Sequence, residues 1–231
     1  MSLALALALA LPLAGQTIAI DPGHNGGNAA HAAQIARLVD AGTVRKACDT
    51  VGTSTNDGYA EHAYNLDVSL RLARVLHTQG ARVVLTRTTN TGWGPCITRR
   101  AAIGNAAHAD AAISIHADGG PAAGRGFHVI YPPSITGLTD DIAARSRRLA
   151  LDVRAAFATG TREPYSTYAG ARGLDVRSDL GGLNLSDVPK VFVETANMRN
   201  AWDARRLRSA RYRQDEANAL ARGLTAFLGR A

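Results

Sequence analysis

The sequence lacks most of the features that would set it apart from an ordinary globular enzyme. It has no internal repeat and no low-complexity tract beyond its first residues, which excludes solenoids and repeat arrays. No compositional break marks a second domain, and 231 residues are enough to bury one full core. No nucleic-acid-binding motif and no HExxH helix is present. The one long apolar run, "MSLALALALALPL" (Met1 to Leu13), is too short to span a bilayer comfortably. It lacks basic residues in front, but it has no polar face and is followed by small residues, so it predicts a secretory leader removed near Ala14 or Gly15. A buried N-terminal helix or strand is the structural alternative. The expected division is a leader over residues 1–15 and one domain over 16–231.

Acid is scarce: 19 Asp and Glu face 26 Lys and Arg, a net charge of +7. Such a balance favours polyanionic partners, among them nucleic acid, acidic membranes and an acidic cell wall. The densest run is Arg205, Arg206, Arg208, Arg211 and Arg213, for which a solvated helix face is the plainer account. Cysteine is scarce too, with only Cys48 and Cys96. In an exported protein such an even pair suggests a disulfide; in a cytosolic one the two would be unpaired core residues.

Five segments read as strands: "QTIAI" (Gln16 to Ile20), "ARVVLTR" (Ala81 to Arg87), "AAISIHA" (Ala111 to Ala117), "GFHVIYP" (Gly126 to Pro132) and "KVFVET" (Lys190 to Thr195). Helices are expected over Glu61 to Gln79, Thr98 to His108, Gly137 to Phe157 and, without a break, from about Trp202 to Leu228. Residues 30–60 read as a polar loop with room for a hairpin, and 158–188 as irregular chain. Strands alternating with helices predict a single α/β domain, its sheet mostly parallel and covered by helices on both faces.

In such sheets ligands bind at the carboxyl ends of strands. His24 follows the first strand across a Pro-Gly turn, His116 closes "AISI", and Glu194 closes "KVFV". Glu61 begins a helix whose Asn65, Val68, Leu72, Val75 and Leu76 continue its face, so its carboxylate sits above an apolar stripe. A buried bare carboxylate costs several kcal/mol, and the helix N-terminus offsets only about 0.3–1 kcal/mol of that. A metal ion satisfies it. Two His and one carboxylate with an open fourth position make a catalytic zinc site, and a second carboxylate, Glu194, suits a general base. Taken singly, each residue has an ordinary role: His24 capping a turn, His116 bonded to backbone, Glu194 paired with an arginine. Four such coincidences together are the weaker account. Asp118 is expected to orient His116 or to shape the loop after it, and Asp21 to do the same for His24. His128 is expected to project away from Phe127 and Val129, towards a substrate. The loop carrying Arg177 and Asp179 suits a groove wall. His31, His62, His77 and His108 read as surface or packing residues.

The segments "IAIDPGHNGG", "EHAYNLDVSLRLARVL", "RRAAIGNAAHADAAISIHADGG" and "VPKVFVETANMRN" resemble, in order, the motifs of the zinc-dependent N-acetylmuramoyl-L-alanine amidases of the type-3 family, over about residues 17–228. "GTSTNDGYAEH" and "SDLGGLNL" are most similar to stand-alone mycobacterial members. The resemblance implies hydrolysis of the amide joining the lactyl group of N-acetylmuramic acid to L-alanine in peptidoglycan. It implies one zinc ion on His24, Glu61 and His116, Glu194 as catalytic residue, and a mixed sheet of roughly six strands. It further implies export to the periplasm or cell wall and peptidoglycan or muropeptides as partner. A monomer is the default expectation, with no nucleic acid as partner and no membrane insertion once the leader is gone. Two departures are Asp118, where many members carry Asn, and Arg199 beside Asn200. Two rival readings are a different zinc peptidase on a related sheet, and a wall-binding protein that has lost its chemistry.

Overall fold

A computed structural model describes residues 11–230. The elements run β1 (Thr17–Pro22), α1 (Ala32–Ala36), β2 (Leu38–Asp40), β3 (Arg45–Ala47), α2 (Glu61–Thr78), β4 (Arg82–Leu85), α3 (Ile97–Ala106), β5 (Ala111–Asp118), β6 (His128–Tyr131), α4 (Ala143–Thr161), β7 (Leu174–Val176), α5 (Gly181–Asn184), β8 (Lys190–Asn197), α6 (Ala201–Leu207) and α7 (Ala210–Leu228). Six strands form one sheet in the order β4-β1-β5-β8-β6-β7. The first four run parallel to one another; β6 joins β8 antiparallel and β7 follows β6. β2 and β3 form a separate antiparallel hairpin within the stretch that reads as loop.

The strict alternation of β-branched and small residues decides what covers each face. Ile18 and Ile20 of β1, Ile113 and Ile115 of β5, and Val191 and Val193 of β8 point to one side. There they pack against Tyr64, Val68, Leu72 and Leu76 of α2, Leu149, Val153 and Phe157 of α4, and Leu220, Leu224 and Phe227 of α7. Each such side chain contributes roughly 1.5–3 kcal/mol by leaving water. The opposite side carries Ala19 and Ala112, small enough for α3 and α5 to lie close. It also carries the polar members Asp21, Ser114, His116 and Glu194, because position within the two-residue period puts them there.

Three expectations are corrected. The last helix is two, α6 and α7, broken where Ser209 turns out of the helix and its side chain accepts from Tyr212 N–H as a new N-cap. The irregular stretch 158–188 contains β7, a three-residue strand that only its ladder with β6 defines, and the single turn α5. The helix expected from Gly137 begins at Ala143, since Ile135 to Ile142 form turns held by Thr139, whose hydroxyl donates to Pro133 O at 2.6 Å. Cys48 and Cys96 are disulfide-bonded.

Most of the expected leader, residues 1–10, lies outside the described residues. Of its end, Leu13 is fully buried in the core and its N–H donates to Gln79 O at 2.9 Å. No helix among the described residues is long and apolar enough to cross a membrane.

Candidate metal centre and active site

The carboxyl ends of β1, β5 and β8 lie at one edge of the sheet, and the amino end of β6 meets them there. His24, Glu61, His116 and Glu194 converge at that edge and line one cavity of about 410 Å³. Its walls come from Thr50–Thr53, Asp118–Gly119 and Leu180–Gly182, with Lys46 of the hairpin at the rim.

His24 is presented by a strained backbone, with φ of 56° in the left-handed region that costs a non-glycine residue about 1–2 kcal/mol. Two buried arginines hold that turn. Arg100 on α3 donates to Pro22 O at 2.7 Å, to His24 O at 3.0 Å and to Gly94 O at 3.1 Å. Arg87, after β4, donates to Pro22 O and Gly23 O at 3.0 Å and to His62 O at 2.7 Å. The His24 ring donates from Nδ1 to Thr50 O at 3.0 Å, which leaves Nε2 facing Glu61 Oε2 at 3.2 Å. Asp49 stands behind the same Nδ1 at 3.5 Å and is itself held by Arg100 at 2.9 Å.

Glu61, the first residue of α2, lies between the two imidazoles. Its Oε1 meets His116 Nδ1 at 3.0 Å and accepts from Asn65 at 3.2 Å, and its Oε2 accepts from Thr53 N–H at 2.9 Å. The two rings lie edge to face, 4.9 Å apart between centroids. The close approach demands glycine twice. A Cβ on Gly23 would fall 2.1 Å from His116 Cε1, and one on Gly52 would fall 2.6 Å from Glu61 Oε2.

The donor set fits a cation. One ligand atom from each of His24, Glu61 and His116 lies within 4.8 Å of the others. Burial disfavours the Glu61 charge, but the neighbouring His24 and hydrogen bonds from both imidazoles hold its carboxyl well below the usual range. Burial likewise opposes a charge on His24, yet Glu61 and Asp49 outweigh it and push that imidazole up to about 10. The pocket thus demands positive charge, which a bound metal ion supplies in place of protons on the imidazoles.

Glu194 completes the set. On β8 it is the register partner of His116 on β5 and of His128 on β6, so the three share one face in a row across three strands. Burial pushes its carboxyl well above the ordinary value, and the Glu61 and Asp118 charges push it further. Its Oε2 is buried with no hydrogen-bond partner within the protein. A carboxyl with a raised affinity for protons and an unpartnered oxygen facing a cavity suits proton transfer.

Other expectations fare unevenly. Asp118 does not contact His116; its Oδ1 accepts from Gly119 N–H at 2.6 Å and shapes the loop, because Glu61 already occupies His116 Nδ1. Asp21 does not reach His24; it is buried among Arg100, Lys190, Ser114 and Thr86. Asp49 takes the place expected of Asp21. His128 shares the face of Glu194 but is buried and does not line the cavity. Arg177 and Asp179 pair at 2.8 Å, and Asp179 also pairs with Lys46 at 3.0 Å, tying the 177–179 loop to the hairpin. Arg87, Arg100 and Asp49 escape sequence reading, since an arginine on a helix or after a strand reads as solvated. The one available signal was the position of Asp49 next to Cys48.

An α/β domain that holds two histidines and a carboxylate ready for a cation, beside a second buried carboxylate, has the make-up of a metal-dependent hydrolase. The chain belongs to the N-acetylmuramoyl-L-alanine amidase family, whose model matches residues 18–226. It is 43% identical over 218 residues to the N-acetylmuramoyl-L-alanine amidase Rv3717 of Mycobacterium tuberculosis, covering 94% of this chain and 88% of that protein. The crystal structure of the amidase Ami1 from Mycobacterium smegmatis superposes with a TM-score of 0.89 at 40% identity, covering 95% of this chain and 99% of that one. Apo Ami1 from Mycobacterium abscessus gives 0.87 at 40% identity, covering 93% and 99%. The resemblance to mycobacterial members read from the sequence is borne out.

Proposed function

We propose that the protein hydrolyses the amide between N-acetylmuramic acid and L-alanine in peptidoglycan, with one zinc ion held by His24 Nε2, His116 Nδ1 and a Glu61 carboxylate oxygen. The observation that carries this reading is that one ligand atom from each of His24, Glu61 and His116 lies within 4.8 Å of the others, beside the unpartnered Oε2 of Glu194. When bound, zinc supplies a Lewis acid that polarises a carbonyl and acidifies water.

The chain's own residues do the rest. The cavity admits the scissile amide between the 50–53 loop and the 180–182 turn. Glu194 Oε2 accepts the proton of the attacking water, and the same carboxyl then delivers it to the nitrogen of the leaving L-alanine. Its raised affinity for protons suits the second half of that exchange, and its place on a central strand keeps it aimed. His24 and His116 are kept as neutral ligands by the cation, with Thr50 O fixing the His24 tautomer.

The substrate implies action outside the cytoplasm, in the periplasm or cell wall. We take the protein as a monomer, with a leader that ends before Leu13 rather than at residue 15 and the catalytic domain after it. Because Leu13 fills the core, cleavage upstream of it preserves that contact. The test is mass spectrometry of purified muropeptides incubated with the protein, with and without a chelator. Sugar separated from an intact peptide with a new L-alanine amino terminus, lost on chelation and restored by zinc, is the expected result. Release of C-terminal amino acids instead would replace this reading with a carboxypeptidase.

A further inference from the structure

Three polar side chains meet in the interior, on the side of the sheet away from the active-site cavity. Thr195 of β8 keeps the parity of Val191 and Val193, so it faces α2 and α7, while Glu194, one residue earlier, faces the cavity. Tyr64 comes from α2, about one turn past Glu61, and Glu216 comes from α7. All three are fully buried.

Their oxygens form one chain. Glu216 Oε1 lies 2.8 Å from the Tyr64 hydroxyl, which lies 2.6 Å from Thr195 Oγ1, which in turn lies 3.0 Å from the carbonyl oxygen of His116. The chain therefore ends on the backbone of a proposed metal ligand. On its way it passes through the residue after Glu194 and through the helix that begins with Glu61.

The hydrogens available fix its direction. A carbonyl oxygen only accepts, so the Thr195 hydrogen is committed to His116 O. The hydrogen between Tyr64 and Thr195 is then the one on Tyr64. A tyrosine has a single hydroxyl hydrogen, so the hydrogen between Tyr64 and Glu216 belongs to Glu216. A carboxylate at 216 would claim the Tyr64 hydrogen and leave two oxygens 2.6 Å apart with none between them.

The surroundings agree. The two arginines whose charges reach Glu216 are committed elsewhere: Arg206 pairs with Glu163 at 3.2 Å, and Arg213 pairs with Asp67. Tyr59 before α2, Tyr64 on it, Glu163 after α4 and Tyr212 on α7 bring no positive charge. Glu216 Oε2 has no hydrogen-bond partner within the protein, which a neutral carbonyl oxygen tolerates better than half of a carboxylate does. Burial pushes this carboxyl well above its ordinary value.

We propose that Glu216 is a positioning residue: as a neutral acid it donates to Tyr64, and the chain it directs through Thr195 holds the His116 end of β5 in place beside Glu194. The position of the proton stands on hydrogen-bond geometry alone, whereas the positioning role rests on His116 being a metal ligand. An anion at 216 reverses the Tyr64 hydrogen and drives Thr195 away from it. Thr195 adjoins Glu194 in the chain and His116 across the ladder, so both shift with it.

Infrared difference spectroscopy of the full chain, parent against Glu216→Gln at neutral pH, reads the proton. Loss of the C=O band of a protonated carboxyl is expected; loss of carboxylate bands instead would overturn the proposal. Zinc affinity, by competition with a chelating dye, reads the positioning. Glu216→Gln still offers a hydrogen to Tyr64 and is expected to bind zinc as the parent does. Glu216→Leu fills similar space but offers none, and Tyr64→Phe cuts the chain. Each is expected to lose about tenfold in affinity, and the double variant no more than either alone. A role in packing alone lowers the Tm of these variants and leaves zinc affinity at the parental value, and that result overturns the proposal. Should Glu216→Leu not fold, Tyr64→Phe carries the same comparison. If the parent binds no zinc, the metal reading fails by itself, and the nitrogen NMR shifts of the His116 imidazole replace affinity. Shifts moved in Tyr64→Phe but not in Glu216→Gln support the proposal, and shifts equal to the parent's in both overturn it.

Discussion

His116 and Glu194 are register partners on adjacent parallel strands. A proposed metal ligand and a carboxylate proposed for proton transfer are thus spaced by the backbone ladder of a central sheet, where neighbouring strands lie about 4.8 Å apart. Phe192, two residues before Glu194 and on the same face, stacks on the His116 ring at 4.4 Å. On the other side of His116, its carbonyl accepts from Thr195 at 3.0 Å.

Because Glu194 touches no proposed ligand by hydrogen bond, its loss should separate chemistry from metal binding. Glu194→Gln is expected to lower kcat by roughly 10²–10⁴-fold, with one metal ion per chain retained by elemental analysis. A variant with near-parental turnover removes Glu194 from the proton-transfer role.

Asp49 and Thr50 position His24 from behind. Asp49→Asn weakens the negative environment of Nδ1–H without removing the side chain. Metal affinity is expected to fall roughly 10–100-fold, measured by competition with a chelating dye, while kcat at saturating zinc changes little. Unchanged affinity would leave Thr50 O as the only support that matters.

The Cys48–Cys96 bridge closes a loop of 48 residues and joins the segment bearing Asp49 to the start of α3, which carries Arg100. Cys48→Ser/Cys96→Ser is expected to cost roughly 3–4 kcal/mol of stability on the chain-entropy account. Urea denaturation measures it; a midpoint equal to that of the parent contradicts the estimate.

Glu163 links stability to pH. Its side chain is fully buried, accepts from Tyr212 at 2.9 Å and pairs with Arg206 at 3.2 Å. Burial, and then the nearby Asp203 charge, push its carboxyl up from 4.5 to about 7. Between those values the folded chain keeps a proton that the unfolded chain releases. This group's contribution is therefore full below the lower value and is lost as pH rises through the upper one. Glu163→Gln should thus gain in Tm relative to the parent between about pH 5 and pH 8. A constant difference across that range contradicts the shift.

Much of the site was legible because its residues break local rules. His24, His116 and Glu194 each stand where an apolar strand ends, and Glu61 sits on the apolar face of its own helix, so each conflicts with its neighbours unless something unites them. The five strong strands were legible from β-branched runs, and the sixth, Leu174–Val176, was not, since three residues between a glycine and a polar loop carry no period. The break at Ser209 was hidden by a helix-favouring run of alanine and arginine on either side.

The sequence by itself determined the class of fold and the family, and picked out the four residues proposed for the site, because alternation, periodicity and strand-end placement are local properties. Only the tertiary structure decided what supports them. Arg87 and Arg100 clamp the strained turn at His24, and Asp49 replaces Asp21 behind that imidazole. Each of those roles depends on partners distant in the chain, and a side chain's charge or bulk carries no record of which distant group will meet it.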